Sequence, residues 1–231
     1  MPGGGGKKGR KPTTSANRNL SRADFVYQRL RNGIRSGDFR PGDRMREAVL
    51  AAKLKVSRTP IREAIRRLAS EGFLEVAASR GVMIVELNKQ QVREVYALRE
   101  ALEGTAARFA AQHASTSEIA EMRELLEHSV GKDTTPEASA KFNRLFHSAL
   151  HDAAHNRYLA QALQQLYDTL ALLPGTTFAA PGRAETAHAE HLALLTAIEK
   201  RNADKADQLA RDHIRAAGQI RMRMMFETPS D

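Results

Sequence analysis

The sequence predicts a mainly α protein, with an N-terminal winged helix-turn-helix followed by an all-α antiparallel helical bundle. Three observations carry this. Between Ser21 and Leu87, three short helical patterns precede two β patterns separated by a glycine-containing turn. Beyond Asn88 no strand pattern occurs, only long stretches whose apolar residues recur every three or four positions, as in amphipathic helices. Charge divides along the same line: residues 1–87 carry 19 Lys and Arg against 8 Asp and Glu, and the rest carries 17 against 19.

Composition bounds what such a chain can be. Its 231 residues suffice for two modest domains, and 42% apolar content supports packed cores. The absence of cysteine excludes a disulfide scaffold and any thiolate metal site, and suits a reducing cytosol. No apolar run approaches the roughly 18 residues that span a bilayer, and MPGGGGKKGRKP lacks the apolar core of a secretory signal. The expectation is a soluble cytoplasmic protein without a membrane partner. The net charge of +9, concentrated in the first part, fits a polyanionic partner. Basic surface alone would serve nucleic acid, membrane or acidic protein equally well.

Taken in order, residues 1–20 hold five cations, no acid and few apolar side chains, which predicts a disordered basic tail. Phe25, Val26, Leu30 and Ile34 then recur at helical spacing, and Gly37, Pro41 and Gly42 punctuate a turn. Arg46–Leu54 forms a short helical pattern expected to bury Val49, Leu50 and Leu54. In SRTPIREAIRRLASEG, either Ser57 or Thr59 can cap a helix, and Pro60 is tolerated in a first turn. Ile61, Ile65 and Leu68 supply its apolar stripe. FLEVA (73–77) and VMIVE (82–86), separated by Ala78-Ser79-Arg80-Gly81, predict a hairpin. These elements give a winged helix-turn-helix over 21–87, leaving 88–231 as an all-α domain for effector binding and dimerisation. Its helices are expected at about 89–113, 117–130, 136–154, 157–173, 184–201 and 203–226. A capping box at Ser115 and Glu118 and the start signal Thr135-Pro136-Glu137 support two of them. Pro174–Gly182 is expected as a loop.

A helix-turn-helix reads DNA through the first residues of its second helix, here Ser57, Arg58, Thr59 and Arg62. Arginine can donate two hydrogen bonds to guanine, while hydroxyls and free N–H groups at a helix start suit phosphates. Arg46 is expected at the DNA, and Arg66 and Arg67, a turn further on, near its backbone. Arg80 and Gly81, at the tip of the wing, suit a groove or phosphate contact. The segment RSGDFRPGDRMREAVLAAKLKVSRTPIREAIRRLASEGFLEV, with RGVMIVEL after it, resembles the DNA-binding domain of the GntR family of bacterial regulators. The resemblance spans about Ala23 to Leu87. It implies operator contacts from Arg58, Thr59, Arg62 and Gly81, and a homodimer on a short inverted repeat.

All eight histidines follow residue 112. Asn143 and His147 share one helix face four residues apart, and His191 and His213 sit on later helices among apolar neighbours. Three inward imidazoles with one oxygen donor would make a divalent-metal site, although helical histidines are more often surface or core residues. His151 and His155 are expected at a hydrated or core-edge surface, His188 beside the ligands, and His113 and His128 at the surface. VYALREALEGTAARFAA (95–111), NRLFHSALHDAAHN (143–156) and HLALLTAIEKRNADKADQLARDHI (191–214) resemble the signature segments of the FCD sensor domain, found in the FadR-type branch of that family. The resemblance implies Asn143, His147, His191 and His213 as ligands of a divalent ion (zinc, with manganese or nickel as alternatives). Many members have Asp where this chain has Asn143, and a neutral amide oxygen is the weaker ligand. It also implies that Arg99 holds a small organic-acid effector; an Arg99–Glu103 pair within the helix is the alternative.

The expectation is therefore a DNA-binding transcription regulator, a repressor relieved by its effector. Two alternatives remain: an architectural protein whose helical domain only dimerises, and a metal-dependent hydrolase. The second lacks a metalloprotease motif, since His188-Ala-Glu190-His191 does not fit HExxH spacing.

Overall fold

The computed structural model describes residues 21–77, 81–129 and 135–227. The expected tail 1–20 and the hairpin residues Ala78–Arg80 lie outside the described residues. The first part of the chain forms α1 (Arg22–Ser36), α2 (Glu47–Leu54), α3 (Arg58–Ser70), β1 (Leu74–Ala77) and β2 (Gly81–Ile84). Ser21 caps α1 by accepting the Asp24 N–H at 3.0 Å, which satisfies a donor that a helix start leaves unpaired. Gly37 closes the helix at φ 81°, a left-handed conformation that costs glycine little.

Val26, Leu30 and Ile34 of α1 share one apolar cluster with Ile61, Ile65 and Leu68 of α3. Burial of such side chains contributes about 1.5–3 kcal/mol each, so this seam fixes how α3 presents its first turn. Two expected core residues lie outside it. Phe25 is 44% exposed and Tyr27 takes its place at 3%. Adjacent residues point about 100° apart on a helix, and the Tyr27 hydroxyl donates to Glu71 Oε2 at 2.7 Å, which makes its burial tolerable. Val49 is also exposed, because the eight-residue α2 buries only Leu50 and Ala51. β1 and β2 pair antiparallel, Leu74 opposite Ile84 and Ala77 opposite Gly81, and Arg44 adds a bridge to Met83.

Among its described residues the second part contains only helices and their connections: α4 (Lys89–His113), α5 (Thr116–Glu127), α6 (Pro136–Ala153), α7 (Arg157–Leu170), α8 (Arg183–Glu199) and α9 (Ala203–Glu227). The loop before α8 contains one 3₁₀ turn, Thr177–Ala179. Helix starts follow the caps: Ser115 and Glu118 form their capping box, Thr135 accepts the Ala138 N–H, and Asn88 with Gln91 forms a further box. α4 and α9 lie antiparallel and close. A Cβ on Gly218 would sit 2.9 Å from the Tyr96 ring, and the alanines Ala106, Ala107, Ala110, Ala206 and Ala210 are buried nearby. Around them Met122, Phe146, Leu150, Leu194, Leu195 and Ile198 form the bundle core.

The two parts are packed together. Leu172 and Leu173, just past α7, and Val92 of α4 belong to the same cluster as Val26 and Leu30 of α1. Among the described residues, no helix is long and apolar enough to cross a membrane.

Candidate functional site

The first turn of α3 is open to solvent. Ser57 occupies the N-cap position without using its hydroxyl for a cap bond, and Ser57, Arg58, Thr59, Arg62 and Arg66 are all exposed. Ile61, Ile65 and Leu68 face the opposite way, so burial of the apolar stripe turns the basic face outward. Arg46 is exposed at the start of α2. Gly81 opens β2 at φ 79°, while Arg80 lies outside the described residues. Arg62 is held by Glu47, Nε to Oε2 at 2.7 Å. Arg67 differs from expectation: its guanidinium lies 3.7 Å from the centre of the Tyr27 ring and pairs with Glu71 and Asp24. It braces α3 against α1 rather than standing beside Arg66.

A second constellation lies inside the bundle. His147 of α6, His191 of α8 and His213 of α9 are all buried, at 1%, 4% and 4% exposure. Their side chains converge: His213 Nε2 lies 3.3 Å from His147 Nε2 and 3.2 Å from His191 Nε2. Two of the rings have their other nitrogen fixed. His147 Nδ1 meets Glu103 Oε2 at 3.0 Å, and His213 Nδ1 meets Glu190 Oε2 at 2.6 Å. A carboxylate accepts hydrogen bonds, so each Nδ1 carries the proton and each Nε2 is left with a bare lone pair. Arg183 Nη2, 3.3 Å from His213 Nδ1, then makes no hydrogen bond to it, the 2.6 Å contact to Glu190 being the closer.

Electrostatics keep these rings neutral. Burial lowers His147 to about 4, against the pull of Glu103. Burial also holds His191 well below the ordinary imidazole range, assisted by His213 and His147. His213 is lowered by burial, with Glu190 working the other way. Glu103, fully buried, is well below the usual carboxylate range; burial opposes its charge, but His147 and His151 outweigh it. Converging lone pairs on neutral imidazoles form a cation site. Two nitrogens bound at 2.0–2.1 Å to one tetrahedral ion would be about 3.3 Å apart, which matches the separations here. The donor set therefore fits a divalent ion such as zinc.

Glu103 is a hub that the sequence reading placed only in a pair with Arg99. Besides His147, its carboxylate accepts from His151 Nε2 at 3.0 Å, from the Tyr167 hydroxyl at 2.5 Å and from Arg99 Nε at 3.4 Å. Arg99 Nη2 donates to Tyr167 at 2.8 Å. The intrahelical pair thus forms, and the Arg99 guanidinium binds Glu103 and Tyr167 within the protein. His151 is drawn into this network rather than left at a hydrated edge. Glu190 and Arg183 were likewise not anticipated: Arg183 is buried, donates to Glu190 Oε2 at 2.8 Å and has a buried Nε with no hydrogen bond. The available signals were positional, with Glu103 one turn after Arg99 and Glu190 adjoining His191.

Asn143, one turn before His147, is half-buried and lines a cavity of about 20 Å³ with His191, His188, Ser139 and Phe178. Ser139 Oγ is buried there without a partner. His188 Nδ1 bonds Ser129 Oγ at 3.0 Å. His113, His128 and His155 are exposed.

The fold and the two sites define a winged-helix DNA-binding regulator with an all-helical second domain. Residues 22–84 match the gntR family of bacterial regulatory proteins, and residues 94–216 match the FCD domain. The HTH-type transcriptional regulator YdhC of Bacillus subtilis is 32% identical over 79% of this chain and 83% of its own. The Nta operon transcriptional regulator of Aminobacter aminovorans is 33% identical over 76% and 83%. The solved structure of McbR/YncC of Escherichia coli superposes with a TM-score of 0.76 over 90% of this chain and 100% of its own, at 24% identity. The chain belongs to the GntR family, in the branch that carries an FCD domain, and is a DNA-binding transcription regulator.

Proposed function

We propose that this regulator is a cytoplasmic homodimer which binds an inverted-repeat operator and releases it when a small organic acid binds the helical domain. Residues 21–87 read DNA and residues 88–231 sense and dimerise. Arg58 and Arg62 contact bases; Ser57, Thr59, Arg46, Arg66, Arg80 and Gly81 hold phosphates or groove edges. Repression is favoured because the similar GlaR of Escherichia coli is a transcriptional repressor.

The helical domain holds a divalent ion, zinc before manganese or nickel, through His147, His191 and His213, with Asn143 as the oxygen donor. Such an ion supplies a Lewis-acid anchor for a carboxylate. The observation that carries this reading is the pair of bare Nε2 lone pairs on His147 and His213 at 3.3 Å, an arrangement that is unfavourable without a cation between them. Arg99 would serve the effector by exchanging its Tyr167 contact for an incoming carboxylate. The chain is read as having no catalytic activity of its own.

The testing experiment incubates purified protein with fragmented host DNA at moderate salt and sequences what is retained. A two-fold-symmetric site is expected. Diffuse retention that fades with salt would leave only phosphate binding and favour the architectural alternative.

A further inference from the structure

We propose that α7 is the lever that couples the histidine cluster to the DNA-reading unit, through two adjacent side chains, about 100° apart on the helix, that meet different neighbours. The inference rests on reading the cluster as the sensor. Tyr167 faces the cluster: its hydroxyl donates to Glu103 Oε1 at 2.5 Å, and Glu103 in turn holds His147 and His151. Asp168, the next residue, faces α1, where its carboxylate pairs with Arg31 and lies 3.5 Å from Arg35 Nε. Gln164, one turn earlier, steadies Asp168 Oδ1 at 3.1 Å. One peptide unit therefore joins the hydrogen-bond network around the buried imidazoles to a salt bridge on the winged-helix unit.

The latch is built to have two arrangements. Asp168 is only 7% exposed, and Arg31 Nε is buried with no hydrogen bond. An ion pair that is largely buried on one side loses part of its attraction to desolvation, and an orphaned donor adds to that cost. Opening returns the Arg31 guanidinium to water, so the closed and open forms are close enough for a ligand to tip the balance. A carboxylate drawing Arg99 away from Tyr167 would remove one of the two hydrogen bonds that hold the phenol, leaving its bond to Glu103, and so loosen α7. Because α7 is a rigid helix, a shift in it reaches Asp168 directly. α1 carries the apolar seam against which α3 is set, so moving α1 moves the reading helix.

The full chain is stripped with a chelator, then loaded with Zn²⁺ as the probe, and amide hydrogen exchange is read helix by helix. Asp168→Asn and Tyr167→Phe are compared with wild type. In wild type, zinc should slow exchange severalfold in α6, α8 and α9 and also alter exchange in α1. In both variants the first response should persist and the α1 response should be lost. If Asp168→Asn does not fold, Arg31→Gln opens the same latch from the more exposed side. An α1 response that persists in the variants, or is missing in wild type while α6, α8 and α9 respond, overturns the lever; persistence would assign coupling to the Leu172–Leu173 seam. If α6, α8 and α9 ignore zinc in every protein, the sensor reading fails and the lever falls with it.

Discussion

His147 and His213 turn their Nε2 atoms toward each other at 3.3 Å while each commits Nδ1 to a carboxylate, Glu103 and Glu190. The carboxylates choose the tautomer, and the tautomer creates the cation site. Zinc added to chelated protein should raise its melting temperature, because an ion that binds only the folded state at a hundred times its Kd adds about 2.7 kcal/mol. His191→Ala should abolish that rise and lower bound metal on elemental analysis, yet still bind DNA. Unchanged metal content would remove His191 from the site.

The same rings predict acid sensitivity of the chelated protein. His147 takes a proton near 6.5 when unfolded but only near 4 when buried. Between these values the unfolded chain binds more protons, so stability is fully present above about 6.5 and declines as pH falls toward 4. His191 and His213 shift in the same direction. Melting temperatures across this range should fall with pH; a flat profile would mean that the native rings are hydrated.

Glu103→Gln removes the carboxylate that compensates the buried Arg99. Breaking a buried pair by deleting one partner costs about 3–5 kcal/mol, readable as a lower urea midpoint. Arg99→Met added to that variant should restore part of the loss, since no uncompensated charge then remains. A loss under about 1 kcal/mol would show that water reaches the site.

On the DNA side, Arg58→Ala should cost about 1–3 kcal/mol and relax base preference at one operator position. Arg66→Ala should instead weaken all sequences alike and reduce the slope of affinity against salt by about one. If the two variants behave alike, the division between base and phosphate contacts is misplaced.

Much of this was legible because it is local. Caps at Ser115 and Thr135, the stripe Ile61-Ile65-Leu68 and the hairpin all declare themselves within a few residues. The histidines were also accessible: their helical spacing made them candidates, and the family resemblance selected His147, His191 and His213. What escaped depends on pairing distant segments. Nothing near Tyr167 announces that it meets Glu103, 64 positions away, and nothing near Asp168 announces Arg31. Arg67 looked like its neighbour Arg66 until Tyr27 was placed beneath it, and Phe25 and Tyr27 differ only by which side of α1 meets α3.

The cavity beside Asn143 and His191, at about 20 Å³, can accommodate a single water but no organic acid. If the proposed effector is seated there, the helices must part to admit it. Its apparent affinity is then reduced by the fraction of time the bundle stands open, and its association rate should level off at high concentration. The speed with which the regulator answers its signal would be set by the breathing of the bundle rather than by how often the signal arrives.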